Sequence, residues 1–177
     1  MLLKPFEPCV PDWQVDADIT HRSGSLTLRF LTSGPIAQLK RAPQAPVPER
    51  QDELWRSTCY EIFLSRAGRE DYWEFNLAPS GHWASYQFSG YRTGQMNSNA
   101  LTLAAFSSAT SEDSMLLTAE VLIEPALEAR MPLQLGITAV LEDTSHAIQY
   151  YALVHADSRP DFHAKTTHTK LLDWDSP

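Results

Sequence analysis

Three consecutive runs between residues 58 and 88 constrain this chain most, because each is rich in β-formers and each stops at turn chemistry. Residues 58–65 stop at Ala67-Gly68, residues 71–78 at Pro79-Ser80-Gly81, and residues 82–88 at Ser89-Gly90. Short runs closed in this way read as an antiparallel meander. Residues 26–31 form a further strand between Gly24 and Gly34-Pro35, and residues 11–20 alternate loosely enough for an edge strand. Later strands are expected over 100–107, 115–123, 133–141 and 147–155. Between them, residues 124–130 place Pro125 at the start and Arg130 at the end, which predicts one or two helical turns. Residues 34–54 hold Pro35, Pro43, Pro46 and Pro48; prolines remove ladder donors, so this is a long exposed Pro-rich loop. The class that follows is all-β: a single-domain antiparallel β-sandwich over 1–177, jelly-roll-like, with one short helical segment.

Charge and the longest apolar runs narrow the class of partner. Acids outnumber bases 22 to 14 in 177 residues, a formal charge of −8, which opposes a nucleic-acid or anionic-membrane partner. Lys4, Pro5, Glu7 and Pro8 interrupt any leader-like run, and no segment approaches the roughly 18 apolar residues of a membrane span. The expectation is a cytoplasmic chain with its two cysteines, Cys9 and Cys59, reduced. Neither cysteine sits in a CxxC pair, which excludes a zinc ribbon and a thioredoxin-type site.

Alternation sorts the meander into faces. Tyr60, Ile62 and Leu64, with Trp73, Phe75 and Leu77, make one; Cys59, Glu61 and Phe63, with Tyr72, Glu74 and Asn76, make the other. Acids and an amide among aromatic rings suit a sugar, whose hydroxyls bond carboxylates and amides while its C–H face packs on a ring. The same pattern also describes an antiparallel sheet with one ordinary wet face. Two acids on one face need a cation between them, and Arg92, after the Gly90 turn, is the nearest in sequence. The expectation is one cluster of Glu61, Glu74 and Arg92 with Asn76 at its edge, the Arg92 fork holding one carboxylate bidentately.

Residues 54–64 (Leu-Trp-Arg-Ser-Thr-Cys-Tyr-Glu-Ile-Phe-Leu), 72–84 (Tyr-Trp-Glu-Phe-Asn-Leu-Ala-Pro-Ser-Gly-His-Trp-Ala) and 90–96, with His155 and Pro160-Asp161-Phe162-His163, resemble the core of bacterial DOMON-like proteins. Those proteins are related to family 9 carbohydrate-binding modules, and the likeness runs from residue 54 to 163. It implies a β-sandwich that holds a sugar. It also implies a stacking tryptophan followed six residues later by a polar glutamate, the spacing of Trp55 and Glu61. Where the family uses a second tryptophan, this chain offers Phe162.

Other constellations carry less. His155, His163 and His168 lie near Asp157 and Asp161, but their spacing matches no tight metal motif. Met96 with a histidine would imitate haem ligation, yet no CxxCH is present. Asp12, Asp16 and Asp18 form an acidic N-terminal stretch without a Gly-centred calcium loop. GxSxG, P-loop, HExxH and dinucleotide fingerprints are all missing, and Cys59, inside a strand, reads as a small buried hydrophobe. The reading is a non-catalytic module for a sugar or sugar-like small molecule, without cofactor or metal. Its site residues are Trp55, Glu61, Glu74, Asn76, Arg92, His155, Phe162 and His163. The alternatives are a protein-interaction or assembly domain with a protein partner, and a hydrolase using Glu61 and Glu74.

Overall fold

The computed structural model describes residues 1–8, 10–156 and 158–172. Among them twelve strands form one antiparallel sheet that curls into two facing layers. The strands are β1 (Leu2–Pro5), β2 (Gln14–Arg22), β3 (Ser25–Ser33), β4 (Cys59–Ser65), β5 (Tyr72–Leu77) and β6 (Trp83–Phe88). They continue with β7 (Met96–Asn97), β8 (Leu101–Thr110), β9 (Ser114–Ile123), β10 (Leu133–Glu142), β11 (Ile148–Ala152) and β12 (Lys170–Leu172). The one α-helix among the described residues, α1 (Pro125–Glu128), starts on its proline; 3-10 turns occupy Ile36–Gln38, Leu54–Arg56 and Lys165–Thr167. Among the described residues no helix is long and apolar enough to cross a membrane.

The first layer runs β1-β2-β3-β9-β8 and the second β7-β6-β5-β4-β10-β11-β1, so β1 belongs to both, with β12 added against β10. The β4–β5–β6 meander pairs in the register that alternation demands: Ile62 faces Phe75, and Phe75 faces Ser85. The segment expected at an edge is instead interior. Leu2 and Leu3 of β1 pair with Asp16 and Val15, and β3 pairs along the other side of β2. β1, β7 and β12 span only four, two and three residues, too few to display a period of two. In the Pro-rich stretch Ile36 and Leu39 are buried in the core, while residues 41–46 are exposed or half-buried.

The layers differ in how they use their outer faces. β2, β3 and β9 alternate buried with exposed or half-buried residues, so the first layer has one face open to water. In β4 and β5 every residue is buried. Tyr60, Ile62, Leu64, Trp73, Phe75 and Leu77 fill the space between layers with Leu28, Phe30, Leu117 and Val121. Across it, the Thr32 and Tyr60 hydroxyls meet at 2.5 Å. The opposite face of β4 and β5, far from being a solvated sheet surface, packs a second apolar cluster that includes Leu54, Phe63, Tyr72, Phe88, Val140 and Phe162. This double coverage makes the outside of the second layer a place where polar groups are buried.

Candidate ligand-binding site

A pocket of about 360 Å³ opens in that outer face, within the usual size for a small-molecule site, roughly 300–1,000 Å³. Its floor is sheet: Glu61 of β4, Glu74 of β5 and Val140 of β10. Trp55, raised on the 3-10 turn before β4, stands at one side and is 47% exposed. Phe88, Arg92 and Gln95 come from the end of β6 and the turn beyond it. Tyr150 of β11 and the segment carrying Pro160, Phe162 and His163 line the other side.

Strand register explains the floor. Glu61 lies opposite Asn76 and Glu74 opposite Phe63, so the two acids are diagonal neighbours on adjacent strands. Thr138 donates to Glu61 Oε2 at 2.9 Å, and Asn76 Nδ2 donates to Glu74 Oε1 at 2.7 Å. Burial, then the charge of Glu74, drives the Glu61 carboxyl up, opposed by the Thr138 bond and by Arg92. Burial likewise raises Glu74 against the Asn76 bond and Arg92. Near neutral pH the pair therefore retains a proton, and the floor offers an O–H donor beside carboxylate acceptors.

Arg92 is placed differently from expectation. It sits at φ 52° in a tight turn closed by the Gly90–Thr93 bridge. That turn swings its guanidinium across the opening to Asp161 (3.0 Å), which also accepts from the Tyr91 hydroxyl at 2.5 Å. The bidentate hold on Glu61 or Glu74 is thus replaced by an ion pair with the C-terminal segment, and Arg92 acts on the two acids through its charge alone. Asn76 is beneath the cluster and fully buried, bonded to Glu74, rather than at its edge.

Nδ1 of His163 lies 2.8 Å from the Tyr72 hydroxyl, which accepts from the Arg92 backbone N–H at 3.2 Å. Burial, then Arg92, lowers the His163 pKa to about 4. His155 does not line the pocket: its Nε2 is 2.8 Å from the Lys4 carbonyl oxygen and its ring stands edge-on to Phe6.

His168 anchors the wall that carries Phe162 and His163. Its Nδ1 lies 2.9 Å from Ser65 Oγ, its Nε2 is 3.2 Å from the Phe162 carbonyl oxygen, and its ring stacks on Phe63. Gly136 of β10 makes the room, since a Cβ there would fall 2.6 Å from His168 Cδ2.

The three histidines thus have three separate employments, and among the described residues no group of three or more metal donors converges; Asp157 and Cys9 lie outside the described residues. Asp16 and Asp18 project from the exposed face of strand β2 rather than from a loop. Met96 is an exposed residue of β7. Cys59 is buried and burial pushes its thiol up.

Sequence reasoning missed Phe88, Gln95, Val140, Tyr150 and Pro160 in the lining. Phe88 was reachable: Tyr86 pairs with Glu74 and Phe88 with Tyr72, so extending the alternation to the third strand adds both rings to the acidic face. Gln95 and Pro160 are in connections without periodicity.

The titrating groups set an expected pH profile. Burial and mutual repulsion hold the Glu61–Glu74 pair well above the usual carboxylate range, so the stability the pair contributes is full in acid and is lost as pH rises through and above neutrality. His163 and His168 are lowered from 6.5 to about 4, so theirs is full above 6.5 and is lost as pH falls through 4. Glu142, which burial would raise, is held at about 2 by Lys40, Ser57 and His146, and adds to the acid loss. Scanning calorimetry between about pH 4 and 9 should show a maximum Tm near about pH 5.5. Glu61→Gln should flatten the alkaline limb and leave the acid limb in place.

The layered fold is similar to that of solved carbohydrate-binding modules. A "putative carbohydrate-binding protein" of Bacteroides uniformis superposes with a TM-score of 0.61 at 12% identity, over 93% of this chain and 79% of that one. A family 9 carbohydrate-binding module of Caldicellulosiruptor kristjanssonii, solved with glucose, gives 0.55 at 9% identity over 96% and 80%. The same module with cellotriose gives 0.55 at 9% over 96% and 78%. At such identities the likeness is one of fold. No protein-family model matches the chain, and no curated protein matches it in sequence.

Proposed function

We propose that this chain is a non-catalytic module that binds a neutral sugar or sugar-like molecule in the pocket between Trp55 and Phe162. One observation carries the reading: a half-exposed indole shares one pocket with two buried, hydrogen-bonded carboxyl groups. A pyranose has an apolar C–H face and a rim of hydroxyls, and needs that pairing of ring and polar floor. The neighbours of like fold, two of them holding glucose or cellotriose, support the same reading, as does the resemblance to DOMON-like proteins. Glu61 and Glu74 rise side by side from one floor, whereas a glycosidase pair flanks the scissile bond. A neighbouring pair sharing a proton suits hydroxyl recognition. Titration with neutral mono- and oligosaccharides should shift or quench tryptophan fluorescence, and Trp55→Phe should remove most of that signal, because among the described residues Trp55 is the tryptophan that lines the pocket. A fluorescence spectrum unmoved by any sugar, with calorimetry equally silent, overturns the reading.

A further inference from the structure

Two smaller hollows share walls with the central pocket. On the β6–β7 side, one of about 310 Å³ shares Trp55 and Gln95 and adds Asp52, Tyr86 and Asn97. On the β11 side, another of about 270 Å³ shares Tyr150 and Pro160 and adds Phe6, Glu7 and Ile148. They lie on opposite flanks, because β7 and β11 are separated by β6, β5, β4 and β10. Five inter-strand steps of about 4.8 Å amount to about 24 Å across the layer.

Each hollow repeats the chemistry of the centre. On the β7 side, Tyr86 donates its hydroxyl to Asp52 Oδ1 at 2.8 Å, and exposed Asp52 and Asn97 stand beside the Trp55 indole. On the β11 side, half-buried Phe6 and Tyr150 stand beside the exposed Glu7 carboxylate. Aromatic ring with carboxylate thus recurs three times in a row, as a chain of repeated amphipathic rings requires. Resting on the sugar-binding reading above, we propose that the pocket is the middle of an open-ended groove that takes an internal stretch of a neutral oligosaccharide, at least three sugars long. Asp52, Glu53 and Glu7 in the flanking hollows, with Arg92 already paired to Asp161, disfavour a polyanionic glycan, which like charge would repel.

The test is calorimetry with matched mono- to hexasaccharide series of β-1,4-linked glucose, mannose and xylose, each also with its reducing end converted to the alditol. At least one series should bind, with affinity rising about tenfold or more from monosaccharide to hexasaccharide. Alditol conversion should change hexasaccharide affinity less than about twofold, because the chain end lies outside the contacts. Asn97→Ala and Glu7→Ala should each lower hexasaccharide affinity about fivefold, the loss of about one hydrogen bond, and leave the monosaccharide unaffected. Affinity independent of chain length, or abolished by alditol conversion, with Trp55-dependent monosaccharide binding intact, overturns the groove and leaves the pocket standing. No Trp55-dependent binding across the whole panel overturns both.

Discussion

Trp55→Ala should weaken sugar binding by about tenfold to hundredfold while leaving the fold intact. The indole is 47% exposed, so the core loses little; a substitution on such a surface changes stability by about 0.5 kcal/mol or less. What it removes is a flat apolar wall of the pocket that Glu61 and Glu74 also line. Covering a large apolar side chain is worth about 1.5–3 kcal/mol, which converts to that range of affinity. Arg56, whose guanidinium lies 5.0 Å from the ring centre, steadies the indole from one side. Titration calorimetry with the best-binding sugar reads the affinity, and thermal unfolding reads the fold. Unchanged affinity with unchanged Tm would remove Trp55 from the site.

Gly136→Val should destabilise the protein by about 3 kcal/mol, the upper range for overpacking a core. For a domain of this size Tm then falls by about 6–12 °C. Gly136 does not adopt a left-handed conformation, so the cost is steric rather than conformational. A Cβ there would press on His168 Cδ2 at 2.6 Å. The ring has nowhere to retreat, being stacked on Phe63 and tied to Ser65 and to the Phe162 carbonyl. Displacing His168 displaces Phe162 and His163 with it, so sugar affinity should fall alongside Tm. His168→Ala in the Gly136→Val background should recover part of the lost stability by removing the clash, a coupling that a double-mutant cycle measures. Independent, additive effects of the two changes would show that Gly136 serves no purpose toward His168.

Period-two alternation and turn residues alone specified the meander, its faces and the antiparallel class, because side chains in a strand must alternate and the Gly and Pro turns leave few ways to connect the runs. The same alternation placed Glu61 and Glu74 together, and register made them diagonal neighbours. Which face the acids occupied was legible; that this face is buried was not. Its burial depends on Val140 and Phe162, which arrive from distant parts of the chain. Arg92 was expected on the acids because it follows the turn, yet only the folded C-terminal segment could supply Asp161 at 3.0 Å. His155, His163 and His168 lie close together in sequence, but irregular segments carry no period from which direction can be read. Tertiary packing sent them to the Lys4 carbonyl, to Tyr72 and to Ser65 respectively. Local patterning decides what a strand residue faces; only long-range contacts decide whether that face meets water, a second layer or a ligand.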